Sequence, residues 1–466
     1  MPPPVMTKSF AIARVTLRNA IRSKVVISLM LILLIISVGV PLTIKGDGTA
    51  GGFVQVLISY TLGMSTFVLA LATLWAGSAA VAAEISDKTA HMVVAKPVSM
   101  WQLWLGKWLG LNIMNAGLLL FCGMITYGLL LWKTSESQMA QPGQREEAQR
   151  ALSARRVILP EQPDYELRAR KELDQLLQQK GLPEGISEND ALQSIVQRKK
   201  TESNMVRAGE RIRWSVRNIP PAQIGKTAYL HYRFSSSLIS LSPVAGTWTI
   251  HAGDTTNKIS MSVTNTPRSH CELAFSMPAL STGLLEIEFR NEDPAGSTII
   301  FDIHQGIAVL IPEGTFASNY LRGLLVLYGR LSLLAAIGVT AGCIFSLPVA
   351  AFLSLFILLL TYMGGYIEQV AQRGIKMADH AHGPTASEDA VKRALNTMVN
   401  LTYKSTALVI RPLLPEDPLA RLSSGRLIDY RQTVRGFFWQ GIVYSALIGS
   451  LAAIALRRRE LALPST

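Results

Sequence analysis

The sequence contains few charged residues and few cysteines for its length. Only 17% of its 466 residues are charged, whereas 49% are hydrophobic and the mean hydropathy is +0.28. This composition excludes an ordinary soluble protein of this size and predicts several membrane spans. Of the three cysteines, Cys122 and Cys343 lie inside apolar segments. We therefore expect neither a disulfide framework nor a cysteine-based metal site.

The chain also lacks the sequence motifs of nucleotide binding and of hydrolysis. The segment Gly225-Lys226-Thr227 imitates the end of a phosphate-binding loop, but the glycine required before it is replaced by Pro220. The GxSxG and HExxH motifs are absent. The net charge of +13 is not arranged as basic stretches interleaved with aromatic residues, which a nucleic-acid surface would require. We expect no catalytic residue, no cofactor, no metal and no nucleic-acid partner for this chain.

Long uncharged runs predict six transmembrane helices. About 20 apolar residues are needed to cross roughly 30 Å of hydrocarbon, and the ranges 25–132, 321–367 and 436–456 supply three, two and one such runs. The uncharged stretch that ends the second range would extend about 55 Å as a single helix, at about 1.5 Å per residue. We therefore predict a turn at Ser346 and Pro348, because proline disfavours helix in the residue before it. The first run is interpreted as a retained span and not as a signal peptide.

A turn at this position places a charge inside the fourth span. That span must begin near Leu321 to be long enough, which brings Arg330 into the membrane or its interface. An arginine in this setting snorkels towards the headgroups or forms an ion pair. Arg330 is either part of a translocation path or an interfacial residue beneath the outer headgroups, and we favour the second interpretation.

The distribution of basic residues predicts the orientation in the membrane. Lysine and arginine flank the spans in 1–24, 84–107 and 457–466, and the positive-inside rule assigns these segments to the cytoplasm. Both termini are then cytoplasmic, whereas 133–320 and 368–435 are extracytoplasmic. We expect a multi-pass protein of the cell inner (plasma) membrane.

The segment 1–24 is predicted to form an amphipathic helix in the cytoplasmic interface. Its apolar residues recur at helical spacing on one face, and its arginines recur at i, i+4 spacing on a neighbouring face. The alternative is a charged cytoplasmic end of the first span. The apolar face comprises Phe10, Ala13, Leu17 and Ile21, and the basic face comprises Arg14, Arg18 and Arg22.

The extracytoplasmic sequence falls into three regions. Residues 133–206 are polar with apolar positions at helical spacing, which predicts a helical region. Residues 207–320 contain short alternating segments separated by turn residues, which predicts a β-sandwich-like domain. Residues 368–435 are predicted to form a loop and a helix. In this last region, His380 and His382 fit either an exposed polar turn, which we favour, or a metal site without a third clustered ligand.

The most informative motif is the loop 84–107 between the second and third spans. Glu84 ends the second span, a short helix follows, Lys96-Pro97-Val98-Ser99 ends that helix, and Gly106-Lys107 opens the third span. This order resembles the corresponding loop in permease subunits of ABC-2 type transporters. The turn sequence at 345–350 and the basic C-terminal segment are also similar, so the resemblance covers most of the membrane part, about half of the chain.

The resemblance implies a mainly α membrane protein of the ABC-2 exporter type, with six transmembrane helices and an extracytoplasmic helical and β-sandwich-like insertion. It implies a permease subunit that exports a substrate, while a separate ATP-binding subunit holds ATP and magnesium and hydrolyses the ATP. A second permease copy or a paralogue completes the complex. The segment 84–104 would be a coupling helix, although its charges could instead be those of a solvated loop. The implied contacts with the ATPase are Glu84, Asp87 and Lys88 in the loop, with Ser346 and Pro348 in the turn.

Two other classes of function are compatible with parts of this sequence. The first is a membrane-anchored extracytoplasmic protein that binds a ligand or partner without transport. It would need a cytoplasmic output domain, and the cytoplasmic segments are short. The second is an enzyme acting on lipid or glycan, for which the residues around Asp379 and His380 are the candidate cluster.

Overall fold

The protein is described by a computed structural model in which the chain forms two compact units. The first, here called the membrane unit, comprises Met1–Ser153 and Thr315–Thr466, and the second, here called the β unit, comprises Ala154–Gly314. The structure describes residues 5–22, 24–43, 50–86, 99–135, 148–179, 188–220, 224–238, 242–252, 258–269, 271–279, 283–302, 306–364, 397–399, 401–402, 404–405 and 417–458.

The membrane unit is built from helices. The amphipathic helix α1 is followed by three apolar helices, and a second group of helices follows the β unit in sequence. In the last of these, a π-helical segment, Phe437–Tyr444, joins two α-helical parts. The helices are α1 (Val5–Arg22), α2 (Val25–Thr43), α3 (Ala50–Ser86), α4 (Met100–Lys133), α7 (Phe316–Ile344), α8 (Leu347–Tyr362), α9 (Pro418–Ser423), α10 (Tyr430–Gly436) and α11 (Ser445–Arg458).

Five described helices are long and apolar enough to cross a membrane, and the chain is therefore a membrane protein. The turn predicted between the fourth and fifth runs is present, because α7 ends at Ile344 and α8 begins at Leu347. Helix α8 is apolar but has 16 residues, fewer than the about 20 that a crossing needs. The sixth span therefore stays a prediction. The five spans are Val25–Thr43, Gly51–Glu84, Met100–Lys133, Phe316–Ile344 and Tyr430–Leu456.

The centre of the membrane unit is α7, whose small residues allow close helix contacts. A Cβ atom added to Gly338 would lie 2.9 Å from the carbonyl oxygen of Leu74, and one added to Gly342 would lie 2.4 Å from that of Ser78. Both partners belong to α3. Inside a membrane, lipid competes with any apolar surface, so helices associate through such close packing and through hydrogen bonds. The small residues of α7 therefore favour α3 as its neighbour through close packing, in addition to the hydrophobicity of the helix.

The β unit contains two helices and eleven strands within its described residues. Helix α5 (Tyr165–Gln179) packs on α6 (Glu188–Glu202), with Leu173 and Ile195 in the contact. The strands are β1 (Ser153–Ile158), β2 (Met205–Val206), β3 (Arg211–Val216), β4 (Thr227–Tyr232), β5 (Phe234–Ser236), β6 (Val244–Ala252), β7 (Lys258–Asn265), β8 (Cys271–Ser276), β9 (Leu285–Asn291), β10 (Ile299–Phe301) and β11 (Ile307–Thr315).

The described strands form three sheets around one shared core. The sheet orders are β1-β11-β4-β8, β2-β10-β5 and β3-β9-β6-β7. Antiparallel register is exemplified by Trp248 opposite Phe289 in β6 and β9. Core residues come from all three sheets, among them Leu230, Trp248 and Phe301, because alternate residues of a strand point to the same side.

The boundaries of the β-rich region differ from those predicted. The compact unit is Ala154–Gly314 and includes α5 and α6, whereas the sequence indicated a helical region 133–206 and a β domain 207–320. Strand β1 is the reason, because it joins the sheet of β11. Its Arg155-Arg156 pair interrupts the apolar alternation that marks a strand, so this sequence pattern could not indicate it.

Candidate functional site

The connection between α3 and α4 contains the residues predicted to contact an ATPase. Helix α3 ends at Ser86 and α4 begins at Met100. Ser99 caps α4: its Oγ accepts a hydrogen bond from Gln102 N (3.3 Å), and Gln102 Oε1 accepts one from Ser99 N (3.0 Å). This reciprocal capping box fixes where α4 starts. Of the predicted contacts, Asp87 and Lys88 lie outside the described residues.

Glu84, near the end of α3, and Lys107, in the second turn of α4, form an ion pair. Lys107 Nζ donates to Glu84 Oε1, and Lys107 is buried while Glu84 is about one-third exposed. A buried ammonium group is costly without an acidic partner, so the pair holds α3 and α4 at a fixed separation. Glu84 was predicted from the sequence to contact the ATPase. The structure shows it bound within its own chain, and a contact with an ATPase stays a prediction.

Three tryptophans near the start of α4 form a stack along one face of the helix. The rings of Trp101 and Trp104 are 5.3 Å apart, and those of Trp104 and Trp108 are 5.7 Å apart. Spacings of three and four residues place side chains on one helical face. Trp104 Nε1 donates to Thr340 Oγ1 (3.1 Å), and Trp108 Nε1 donates to Ser332 O (3.0 Å). Both acceptors belong to α7, so the stack joins α4 to the central helix.

Helix α11 contacts the same tryptophan. Gly449 lies so close to Trp104 that an added Cβ would be 2.5 Å from its ring. Thr340 Oγ1, which accepts from Trp104, is also within 3.5 Å of Ile448 O. Trp104 is fully buried between these helices. This contact of Trp104 with two other helices could not be predicted from the sequence, because an indole in an apolar run does not indicate which helix it will face.

Helix α1 packs on α4 through two glycines. A Cβ atom at Gly106 would lie 2.6 Å from Ile12, and one at Gly110 would lie 2.8 Å from Thr16. Ala13, between them on α1, is buried. Two glycines four residues apart leave a shallow groove that a second helix can enter.

The outward faces of α1 agree in part with the predicted amphipathic pattern. Phe10 and Ile21 are exposed, whereas Ala13 of the same predicted apolar face is buried against α4. The prediction of one apolar face is therefore corrected, because Ile12, Ala13 and Thr16 of α1 face the glycines of α4, whereas Phe10 and Ile21 lie on an adjacent, exposed face. The predicted basic face is exposed at Arg14, Arg18 and Arg22.

The turn between α7 and α8 exposes the second set of predicted contacts. Ser346 is the N-cap of α8, with φ −66° and ψ 156°, and Pro348 lies in the first turn of the helix. Proline is favoured there because the amide hydrogen that it lacks would have no acceptor. Both side chains are exposed, so they are accessible to a partner.

Arg330 lies halfway along α7, which begins at Phe316, five residues before the predicted start at Leu321. The side chain is half-buried, and its Nε has no hydrogen-bond partner among the described residues. Its electrostatic partners are Asp417, at the start of α9, and Tyr362, at the end of α8. Arg330 is thus a charged residue at the middle of an otherwise largely apolar helix. Both interpretations of Arg330 stay predictions.

Residues 417–429 are packed against the first half of α7. Asn319 Nδ2 donates to Arg426 O (2.9 Å), and Asn319 Oδ1 accepts from Ile428 N (2.8 Å). Arg322 Nη1 also donates to Ile428 O (3.1 Å). The buried asparagine satisfies backbone groups more than 100 residues away. Asn319 could not be identified from the sequence, because the partners of its amide are 107 and 109 residues away and its neighbours carry no signal of them.

The β unit has its own buried charge cluster, which spans the sheet of β1, β4 and β8. Arg155 Nη1 donates to Glu272 Oε2 (2.7 Å), and His231 Nδ1 lies 3.7 Å from Glu272 Oε1. Burial raises the pKa of Glu272, but the interactions with His231 and Arg155 outweigh it and hold that pKa at about 2. These contacts join three strands and serve stability. Within the described residues, no group of three or more histidines, cysteines and acids could hold a metal ion, and His380 and His382 lie outside that part.

The fold thus defines a class, a membrane protein with a separate β-rich unit. No protein-family model matches the sequence, and no curated protein matches it.

Proposed function

We propose that this chain is the membrane-spanning permease subunit of an ABC-2 type exporter of the inner membrane. A separate ATP-binding subunit supplies ATP, magnesium and hydrolysis, and a second permease copy or paralogue completes the transporter. The proposal rests on the order of motifs around the loop 84–107, and on a bundle of membrane-length helices that meets at α7.

The observation that carries the proposal is that the two described ends of the segment 84–107 are joined to each other and to the neighbouring helices. Glu84 and Lys107 join the ends of α3 and α4, and Trp104 continues the connection to Thr340 of α7. Gly106 adds α1 to the same junction. A partner that displaces this loop would therefore move four helices together, which is the mechanical requirement for coupling ATPase closure to a change of access.

The proposed orientation places this loop in the cytoplasm with the ATPase. Basic residues of 1–24, 84–107 and 457–466 favour the cytoplasmic side by the positive-inside rule. The ranges 133–320 and 368–435 are then extracytoplasmic. The exposed turn at Ser346 and Pro348 lies between α7 and α8 and would provide the second ATPase contact.

Co-purification with a candidate ATP-binding subunit, chosen as a phosphate-binding-loop protein from the neighbouring genes, tests the proposal. We expect a stable complex, and we expect the double variant Asp87→Ala/Lys88→Ala to weaken it at least about tenfold, as loss of central contacts does in other interfaces. The turn variant Ser346→Ala/Pro348→Ala should weaken it as well. The matched control is Lys133→Ala, a charge change at the other end of α4. Absence of a complex, or equal binding by all variants, would contradict the proposal.

A second candidate function is a membrane-anchored protein that binds an extracytoplasmic ligand without transport. A cavity in the β unit favours it. The two functions differ in one measurement, because only a permease stimulates ATP hydrolysis by its partner when both are reconstituted in lipid vesicles.

A further inference from the structure

The β unit contains a cavity of about 440 Å³. This volume lies in the usual range for sites of small molecules, about 300–1,000 Å³. Its wall comes from separate parts of the chain: the segment 159–163, the first residue of α5, the turn after α6, the strand β3, and the residues around Gly306. Every lining residue belongs to the β unit. The folded unit therefore assembles this cavity from distant pieces of sequence.

Trp214 lines the cavity because it lies on an edge strand. Among the described strands, β3 is the outer member of its sheet. The ring of Trp214 is packed edge to face on Phe301 at 5.2 Å and lies 6.0 Å from Trp248. It is nevertheless only half-buried, unlike Trp248, which is fully buried. The core thus fixes the ring in place and leaves part of it open to the cavity.

The segment 159–163 lies beside β3 and prevents another strand from pairing along this edge. Glu161 N donates to Ser215 O (2.8 Å), so the segment lies beside β3 at that point. Pro160 and Pro163 on either side of Glu161 lack amide hydrogens and cannot extend the pairing. The segment 159–163 therefore forms a wall of the cavity that holds Trp214 without becoming another strand.

Polar residues line the same cavity as Trp214. Tyr165 OH and Ser203 Oγ are 2.8 Å apart, and both residues line the cavity together with Asn204 and Asp302. Hydroxyl and amide groups can donate to and accept from ligand hydroxyls, and a carboxylate can accept from them. An apolar ring with several such groups around it suits a ligand that has both an apolar face and many hydroxyls.

Two of the charged residues that line the cavity are paired with residues outside its lining. Arg213 Nη2 is 3.1 Å from Glu288 Oε2, and Glu161 Oε1 is 3.4 Å from Arg217 Nε. Each of these lining charges is therefore offset by a neighbour. An anion site would instead offer an arginine whose guanidinium is directed to the ligand.

We propose that this cavity binds a neutral carbohydrate of one or two sugar rings, with Trp214 against the apolar face of a ring and the polar rim on its hydroxyls. This site goes beyond the proposed transport function and does not depend on it.

Binding of small sugars to the full-length protein in lipid nanodiscs tests the proposal. Nanodiscs avoid detergents with sugar headgroups, which would compete for the site. The probes are glucose, N-acetylglucosamine, maltose and cellobiose, observed by saturation-transfer NMR and titrated to obtain Kd. Choline and inorganic phosphate are the charged comparisons. We expect at least one sugar to bind with a Kd tighter than about 10 mM, and neither charged probe to bind at the same site.

Variants then locate the bound sugar. Trp214→Ala should weaken binding at least about tenfold, and Trp214→Phe should weaken it less, because an aromatic ring is kept. The matched control is Thr249→Ala, since Thr249 is paired with Ser260 at 3.3 Å in the same unit and does not line the cavity. Thermal unfolding and near-UV circular dichroism check that each variant folds. If Trp214→Ala does not fold, the double variant Ser203→Ala/Asp302→Asn replaces it with the same expected loss.

Three results would overturn the proposal. The first is that none of the four sugars binds. The second is that a sugar binds equally well to wild type and to the folded cavity variants. The third is that choline or phosphate binds in a Trp214-dependent manner while the sugars do not.

Discussion

Lys107 and Glu84 form an ion pair across the connection between α3 and α4, 23 residues apart in sequence. Lys107 is buried and Glu84 is partly exposed. Loss of the ion pair therefore costs more free energy for the ammonium group than for the carboxylate. The pair therefore belongs to the architecture of the bundle as well as to the predicted coupling loop.

Glu84→Ala should destabilise the membrane unit by about 2 kcal/mol, since it leaves a buried charge without its partner. The double variant Glu84→Gln/Lys107→Met removes the buried charge together with its partner. Its stability should therefore be closer to that of the wild type. Thermal unfolding of the purified protein in one detergent measures both. Equal destabilisation by the single and double variants would show that the ion pair does not determine the stability of this junction.

Gly106→Leu should disturb the packing of α1 on α4, because a side chain there would overlap Ile12. Overpacking of this kind costs about 1–3 kcal/mol. The expected result is a lower unfolding temperature and faster proteolysis within α1. Gly117→Leu is the matched control on the same helix, since an added Cβ there meets nothing within 4 Å. Identical behaviour of the two variants would contradict the described docking of α1.

Trp104→Phe removes the donor to Thr340 and leaves a small cavity, which should cost about 1–2 kcal/mol. The comparison variant is Trp75→Phe, because Trp75 is 52% exposed and should tolerate the change. A double-mutant cycle with Thr340→Val isolates the hydrogen bond, and we expect a coupling energy of about 1 kcal/mol. Additive effects in this cycle would indicate that the indole nitrogen does not bond to Thr340.

The stability of the β unit should fall in acid through Glu272. Its pKa is lowered to about 2 from an ordinary value of 4.5, so protons bind more tightly to the unfolded chain. The stabilisation is fully present above about pH 4.5 and is lost as the pH falls through about 2. Unfolding of the β unit between pH 2 and 7, followed by near-UV circular dichroism, measures it.

Glu272→Gln tests the assignment of that acid dependence. It should lower the stability at pH 7, because Arg155 and His231 lose their carboxylate partner. Below about pH 4.5, the stability of this variant should depend less on pH than that of the wild type. Glu313→Gln is the control, because its pair with Arg156 is largely solvent-exposed and should contribute little. An unchanged acid dependence in Glu272→Gln would assign the effect to other groups.

Much of the fold could be predicted because its signals are local. The region 207–320 was expected to contain short strands from its alternating pattern, and the described strands β3 to β11 lie within it. The turn at Ser346 and Pro348 was likewise evident from a run too long for one span. The end of β11 was less evident, because its apolar start at Ile307 leads directly into the polar residues before α7.

The candidate site was predicted less completely. Glu84 was identified by its position at the end of a span, but its bond to Lys107 depends on how α3 and α4 are rotated about their axes. The same holds for Trp104 and Thr340, which are 236 residues apart. Helical periodicity shows which residues share a face and does not show which helix that face will meet.

The sequence by itself determined that the chain is a membrane protein with apolar helices at defined positions and a region of short strands, because hydrophobic length and alternation are properties of neighbouring residues. The tertiary structure decided the ion pair of Glu84 with Lys107, the extent of the β unit and the cavity beside Trp214. These features arise from close packing between distant segments, where the size and orientation of each side chain select its partner.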